Sequence, residues 1–167
     1  MDPADTPETA RPLAVIDLDG VVADVRHRLH HISGSRKNWS AFFAEVGDDD
    51  VLAEGRAVLE RLASDHEIVY LTGRPERTRP ATQAWLARHQ LPPGRVVMRA
   101  DDDRRPARLL KPQLLRSLAR GRRVAVVVDD DEAVCAALTK AGWSVLRADW
   151  MPAAAPLHTA QEAEGRT

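Results

Sequence analysis

Residues 13–20 read LAVIDLDG, a short apolar run that stops on Asp17 and is followed by a second acid, Asp19, and by Gly20. A run of this length, bounded by an acid and a glycine, predicts a buried strand that holds Asp17 at its carboxyl end. Four more runs share its character: 67–72 (EIVYLT), 95–98 (RVVM), 124–128 (VAVVV) and 144–147 (SVLR). Helical patterns separate them. The stretch 51–63 (VLAEGRAVLERLA) places Val51, Leu52, Val58, Leu59 and Leu62 near one face, as a helix packed on a sheet requires. Similar readings hold for 78–89, for 112–119 with Pro112 suited to a first turn, and for 131–141, closed by Gly142. Strands that alternate with helices predict an α/β fold, a Rossmann-like three-layer sandwich around a five-stranded parallel sheet.

With 167 residues the chain has the length of one domain. The expected division is a domain at 12–151, a small cap insertion after the first strand at about 25–50, and polar flexible tails at 1–11 and 152–167. A hydrophobic fraction of 44% with 29% charged residues excludes a disordered chain. The formal net charge of -1 gives no global field for a polyanion, so nucleic-acid binding would rest on local arginines. Cys135 is the only cysteine, which excludes an internal disulfide and any cysteine-based zinc site. The acidic start lacks the basic and apolar segments of a signal peptide, and no apolar run approaches a membrane span. A soluble cytoplasmic protein without membrane contact is the expectation.

The informative residues collect at the strand ends, where open parallel sheets bind ligands. The first strand runs into Asp17 and Asp19, the second into Thr72, Gly73 and Arg74, and the fourth into Asp129 and Asp130. Taken singly, each acid also fits a solvated turn or a helix cap. Three or more carboxylates at one sheet edge repel one another, and a hard divalent cation with oxygen ligands, most simply Mg²⁺, makes the arrangement tolerable. Asp17, held rigidly by its strand, suits attack on a phosphoryl group whose charge is neutralised. Asp19 is placed to serve the leaving oxygen and the later water as general acid and base. Thr72 with neighbouring backbone N–H groups, and Lys111 as a compact positive charge, suit the phosphoryl oxygens.

These features, quoted as VIDLDGVV, YLTGRP, Lys111 and VVVDDD, resemble the haloacid dehalogenase (HAD) superfamily of phosphotransferases over roughly residues 13–150. The resemblance implies strand order 3-2-1-4-5, Asp17 as nucleophile, Asp19 as acid/base, and Mg²⁺ held by Asp17, the Asp19 carbonyl, and Asp129 or Asp130. A closer resemblance is to the 3'-phosphatase domain of phage-type polynucleotide kinase-phosphatase. It rests on Arg28, eleven residues after Asp17, on LTGRP with Arg74, on Arg99, twelve residues before Lys111, and on DVRHRLHHI followed by KNW. It implies a phosphate-binding role for Arg28, Arg74 and Arg99, beside Gly73. One departure is Ala107, where many relatives carry an acid four residues before the lysine.

The activity so implied is removal of a 3'-phosphate, or of a 2',3'-cyclic phosphate, from DNA or RNA ends. The alternatives are a small-molecule phosphatase such as a 5'-nucleotidase, or a binding module without turnover. No GxxxxGK[ST] loop occurs, so a kinase or ligase would be a separate partner. Trp39, Phe42 and Phe43 are read either as a base-stacking platform or as the core of the insertion. Asp48, Asp49 and Asp50 are read as caps of the following helix, Asp101 to Asp103 as a loop, and His27, His30 and His31 as a helix face without a metal.

Overall fold

Alternation along the first strand sets the two faces of the sheet. Leu13 and Val15 point to one side with Val69, Leu71 and Val127, and Ala14 and Ile16 to the other with Ile68, Tyr70 and Val128, as the period of two in a strand demands. In this computed structural model residues 10–167 are described. Residues 1–9, most of the expected amino-terminal tail, lie outside them.

In chain order the first half comprises β1 (Leu13–Ile16), β2 (Ala23–Asp24), a 3-10 helix (Arg26–His31), α1 (Trp39–Ala44), a 3-10 turn (Val46–Asp48), β3 (Asp50–Val51), α2 (Ala53–Ala63) and β4 (Glu67–Pro75). After a 3-10 turn (Glu76–Thr78) come α3 (Arg79–Arg88), β5 (Gly94–Arg99), α4 (Ala107–Leu118), β6 (Val124–Asp129), α5 (Glu132–Lys140), β7 (Val145–Arg147), α6 (Ala155–His158) and a π-helical turn (Thr159–Ala163). The five-stranded sheet has the order β5-β4-β1-β6-β7, and its pairs are parallel. Renumbered by core strand, this is the expected 3-2-1-4-5.

Helices cover both faces. Leu115 and Leu118 of α4 and Val134 and Leu138 of α5 pack on the Val15 side. Leu59 of α2, Trp85 and Leu86 of α3, and the insertion through Phe42 and Phe43 pack on the Ile16 side. The insertion is tied to the body by an antiparallel ribbon, Ala23 opposite Val51 and Asp24 opposite Asp50. Phe42 and Phe43 are buried and meet edge to face at 5.1 Å, so these two rings are core, while Trp39 is only half-buried. Among the described residues no helix is long and apolar enough to cross a membrane.

Three expectations are corrected. Pro112 does not open a helix: α4 begins behind Pro106, whose carbonyl receives the N–H groups of Leu109 and Leu110 at 2.9 and 3.1 Å. Pro112 then withholds a donor only from the carbonyl of Arg108, an exposed residue in the first turn, where solvent can take the donor's place. The Asp48–Asp50 run does not cap α2, whose N-cap is Leu52 without a side-chain hydrogen bond. Nor do residues 152–167 lack a face to bury, because Leu157 and Ala160 are 2% and 1% exposed in the larger core.

Candidate active site

The parallel pairing of β1 with β6 brings two acidic strand ends side by side. The Asp17 N–H donates to the Val128 carbonyl at 2.9 Å, which fixes Asp17 beside Asp129, the last residue of β6. Asp130 follows and leans over the turn after β1. Gly20 takes φ +80 there, and a β-carbon on it would collide with the Asp130 carboxylate, so the close approach depends on glycine. Asp17, Asp129 and Asp130 each offer an oxygen within 4.8 Å of the others. The buried Lys111 Nζ lies 2.5 Å from Asp129 Oδ2 and 3.1 Å from Asp17 Oδ2.

Three carboxylates against one ammonium leave two negative charges in a buried space. Burial pushes the Asp17 carboxyl up to about 7; Lys111 offsets part of this, and Asp129 and Asp19 add to it. Burial, then Asp17 and Asp129, likewise raise Asp130 well above the carboxylate range. Burial alone would lower the Lys111 pKa, but Asp129 and Asp17 outweigh it and hold the ammonium charged. A divalent cation would balance this charge, and an all-oxygen donor set suits a hard ion such as Mg²⁺.

Asp19 sits in a second, separately balanced cluster. Burial would raise its pKa, yet Arg74 and Arg28 hold it well below the usual range. Arg74 Nε and Nη2 donate to Asp19 Oδ1 at 2.9 and 2.6 Å, and Arg28 Nη2 donates to the same oxygen at 3.1 Å. Both arginines also reach Asp49: Arg28 Nε at 2.8 Å, Arg28 Nη2 at 3.0 Å and Arg74 Nη2 at 2.8 Å. His27 Nε2 adds a bond to Asp49 Oδ1 at 2.6 Å. Two acids and two guanidiniums, all with side chains 3% exposed or less, thus neutralise each other. The Arg28 guanidinium lies 4.3 Å over the Phe42 ring, which binds the insertion to this cluster.

Thr72 lies in the buried run Ile68–Pro75 of β4, and its Oγ1 accepts the Arg74 N–H at 3.1 Å, so the hydroxyl proton stays available for donation. Arg99, at the end of β5, donates through Nε to the Gly73 carbonyl at 2.9 Å and through Nη1 to the Arg105 carbonyl at 2.7 Å. Burial lowers its pKa to about 10. Among the described residues, Arg28 Nη1 and Arg99 Nη2 are buried without a hydrogen-bond partner.

Asp17, Asp19, Thr72, Lys111, Asp129 and Asp130 therefore gather at one edge of the sheet. Arg28 and Arg74 stand with them but spend their Nε and Nη2 donors on acids, while Arg99 braces the loop after β5. Sequence reasoning missed Asp49, whose only local sign was an acidic run. It also missed Asp131, which caps α5 through the Ala133 N–H at 2.9 Å; burial and the neighbouring Glu162 push its carboxyl up to about 8. A cavity of about 550 Å³ opens beside Asp130 and is walled by Arg147, Met151, Leu157, His158 and Gln161.

The family model of the polynucleotide kinase PNKP phosphatase domain, a HAD family, matches residues 12–150. A chain of the Pnkp1/Rnl/Hen1 complex superposes with a TM-score of 0.68 at 20% identity, over 86% of this chain and 48% of that one. A second structure, of the Pnkp1/Rnl/Hen1 RNA repair complex, gives 0.71 at 19% identity over 90% and 46%. This chain spans less than half the length of either. A HAD family enzyme from Bacteroides thetaiotaomicron, in complex with magnesium and inorganic phosphate, gives 0.51 at 10% identity over 84% and 97%. At these identities the likeness is one of fold. No curated protein matches this chain in sequence.

Proposed function

The chain belongs to the polynucleotide kinase PNKP phosphatase domain family of HAD phosphatases, and from that premise we propose that it removes 3'-phosphate, or 2',3'-cyclic phosphate, from nucleic-acid ends. The observation that carries the chemistry is the buried cluster of Asp17, Asp129 and Asp130 around Lys111, two negative charges in excess. Mg²⁺ held by Asp17, the Asp19 carbonyl and Asp129 or Asp130 would supply charge neutralisation for the incoming phosphoryl group.

Asp17 Oδ attacks phosphorus, the bond from phosphorus to the ester oxygen breaks, and Asp19 hands its proton to the departing alcohol. The arginines hold Asp19 ionised, so that proton arrives with the substrate, whose negative charge raises the Asp19 pKa as it docks. Asp19 then takes a proton from water, the hydroxide oxygen attacks the aspartyl phosphate, and inorganic phosphate leaves with Asp17 restored. Thr72, the Gly73 N–H and Lys111 receive the phosphoryl oxygens. Arg28 and Arg74 position Asp19, and the partnerless N–H groups of Arg28 and Arg99 are donors left for a phosphate.

The preference for a polymer end is supported by the family and by the small insertion, whose helices are 6 residues each, too short to enclose a substrate. These 167 residues contain no GxxxxGK[ST] loop, so a P-loop kinase activity is not part of what they carry. The test is phosphate release from a 3'-phosphorylated oligonucleotide, a nucleoside 5'-monophosphate and an aryl phosphate, with and without Mg²⁺. The oligonucleotide should be much the best substrate, and Asp17→Asn should abolish turnover while leaving the melting curve cooperative. Equal turnover of the mononucleotide would move the reading to a small-molecule phosphatase, and activity in Asp17→Asn would end it.

A further inference from the structure

The segment after α6 reaches residues on several sides of this site, Asp130, Asp19 and Gly73 among them. Gln161 Nε2 donates to Asp130 Oδ1 at 3.4 Å. Glu162 receives the Arg108 backbone N–H at 3.2 Å and its guanidinium at 2.6 Å, at the start of α4. Glu164 pairs with Lys37 of the insertion, and the Arg166 guanidinium lies 5.0 Å over the Trp39 ring. At its end Thr167 Oγ1 donates to Asp19 Oδ2 at 2.6 Å. The Thr167 backbone presses on Gly73 so closely that a β-carbon there would collide with it.

Both Asp19 oxygens are then engaged, Oδ1 by the arginines and Oδ2 by Thr167. A hydroxyl hydrogen-bonded to Asp19 is also the arrangement of the alcohol that departs in the reaction. The cavity beside Asp130 has Gln161 in its lining but neither Asp17, Asp19 nor Thr72. On this evidence of placement, and resting on the function proposed above, we propose that residues 164–167 are an internal occupant of the phosphate site, a strap in which Thr167 mimics the product alcohol and which must lift before a phosphate ester binds.

The strap is built to move at one place. Leu157 and Ala160 anchor its root in the core. Between residues 163 and 167 the side-chain contacts are a part-exposed ion pair, Glu164 with Lys37, and a cation–π contact, Arg166 with Trp39, both screened by solvent; only the Thr167 hydroxyl, on Asp19, is held in the buried site. The bend between root and tip is Gly165, with φ +58, whose missing β-carbon would collide with the backbone of Arg104 and Arg105. Valine at 165 is therefore excluded from the seated geometry, by its φ and by space.

Two variants test the strap, Gly165→Val and a chain ending at Glu164; both keep the Leu157 and Ala160 anchor and every residue of the catalytic cluster. Affinity for inorganic phosphate with Mg²⁺ is measured by calorimetry, alongside kcat/KM for a 3'-phosphorylated oligonucleotide and 4-nitrophenyl phosphate. A site covered about nine-tenths of the time binds about tenfold more weakly than an open one, so both variants should bind phosphate about tenfold more tightly. Their kcat/KM should rise through KM, with melting curves still cooperative. Unchanged or weaker phosphate affinity in both variants overturns the strap and makes the segment a fixed wall of the site. Tighter phosphate binding without turnover by any form leaves the strap standing and removes the phosphatase reading. Turnover with equal affinities does the reverse.

Discussion

Asp49 should matter more to this protein than any acid outside the metal cluster. Its carboxylate is fully buried, with side-chain exposure of 0%, against two equally buried arginines. It receives bonds from Arg28 Nε at 2.8 Å, Arg28 Nη2 at 3.0 Å, Arg74 Nη2 at 2.8 Å and His27 Nε2 at 2.6 Å. Asp49→Ala leaves two guanidiniums to share Asp19 alone, one positive charge in excess without solvent. Breaking a buried pair by removing one partner costs about 3–5 kcal/mol. Because each arginine keeps its bond to Asp19, the lower end applies, about 3 kcal/mol, or roughly 6–12 °C in Tm for a domain of this size. Urea unfolding of the whole chain reads the loss as a lower midpoint at unchanged slope. Asp49→Asn keeps the shape and one acceptor oxygen and should lose less. Both should lower kcat, because Asp19 is then less firmly held. A loss below about 1 kcal/mol for Asp49→Ala would refute the reasoning, since it would mean that Asp19 balances both arginines unaided.

Two further outcomes follow from the charges. Because Asp17, Asp129 and Asp130 repel one another when no cation is present, Asp130→Asn should raise the Tm measured in a chelator while shrinking the rise that saturating Mg²⁺ gives the unaltered protein, about 2.7 kcal/mol at a hundred times Kd; an unchanged Mg²⁺ response would place the ion elsewhere. Burial, with Asp129 nearby, pushes the Cys135 thiol up to about 12 from 9.0, so the folded protein holds almost no thiolate at pH 8; iodoacetamide should leave it unlabelled until urea unfolds the chain, and labelling at the rate of a free thiol would contradict this burial.

Much of this was legible in the chain because strand ends carry their own punctuation. LAVIDLDG and VAVVVDDD each switch from apolar to acidic within one residue, so the sheet and the gathering of Asp17, Asp129 and Asp130 at its edge could be read from local pattern, while the strand order came with the family resemblance. Asp49 could not: an acidic run before an amphipathic stretch looks like a helix cap, and its partner Arg74 lies 25 residues away. The early start of α4 was hidden by Pro112, which reads as a boundary when the exposure of the Arg108 carbonyl is unknown. The last sixteen residues, PAAAPLHTAQEAEGRT, offer few apolar side chains and no period. Besides Leu157 and Ala160 in the core, their order comes from polar groups whose partners are far along the chain, Thr167 with Asp19 across 148 residues and Glu162 with Arg108 across 54.

The division of charge at the sheet edge bears on how a phosphate would be received. Around Asp19 and Asp49 the books balance, two acids with two guanidiniums, and rigidity results because each fork is fixed by several charge-assisted bonds. Around Asp17 they do not, and the excess negative charge is relieved by protonation, as the raised Asp17 and Asp130 carboxyls reflect, or by a cation. A phosphoryl group entering between the two halves therefore meets Arg74 only through its grip on Asp19, since all three of its guanidinium nitrogens are engaged by Asp19, Asp49 and Thr82. Attraction for its oxygens has to come from Lys111, Thr72, the Gly73 N–H, the partnerless N–H groups of Arg28 and Arg99 and the ion. Under the proposed mechanism Arg74 acts on the proton and not on the phosphate, so changing it to lysine, which cannot fork between Asp19 and Asp49, should weaken kcat far more than phosphate affinity.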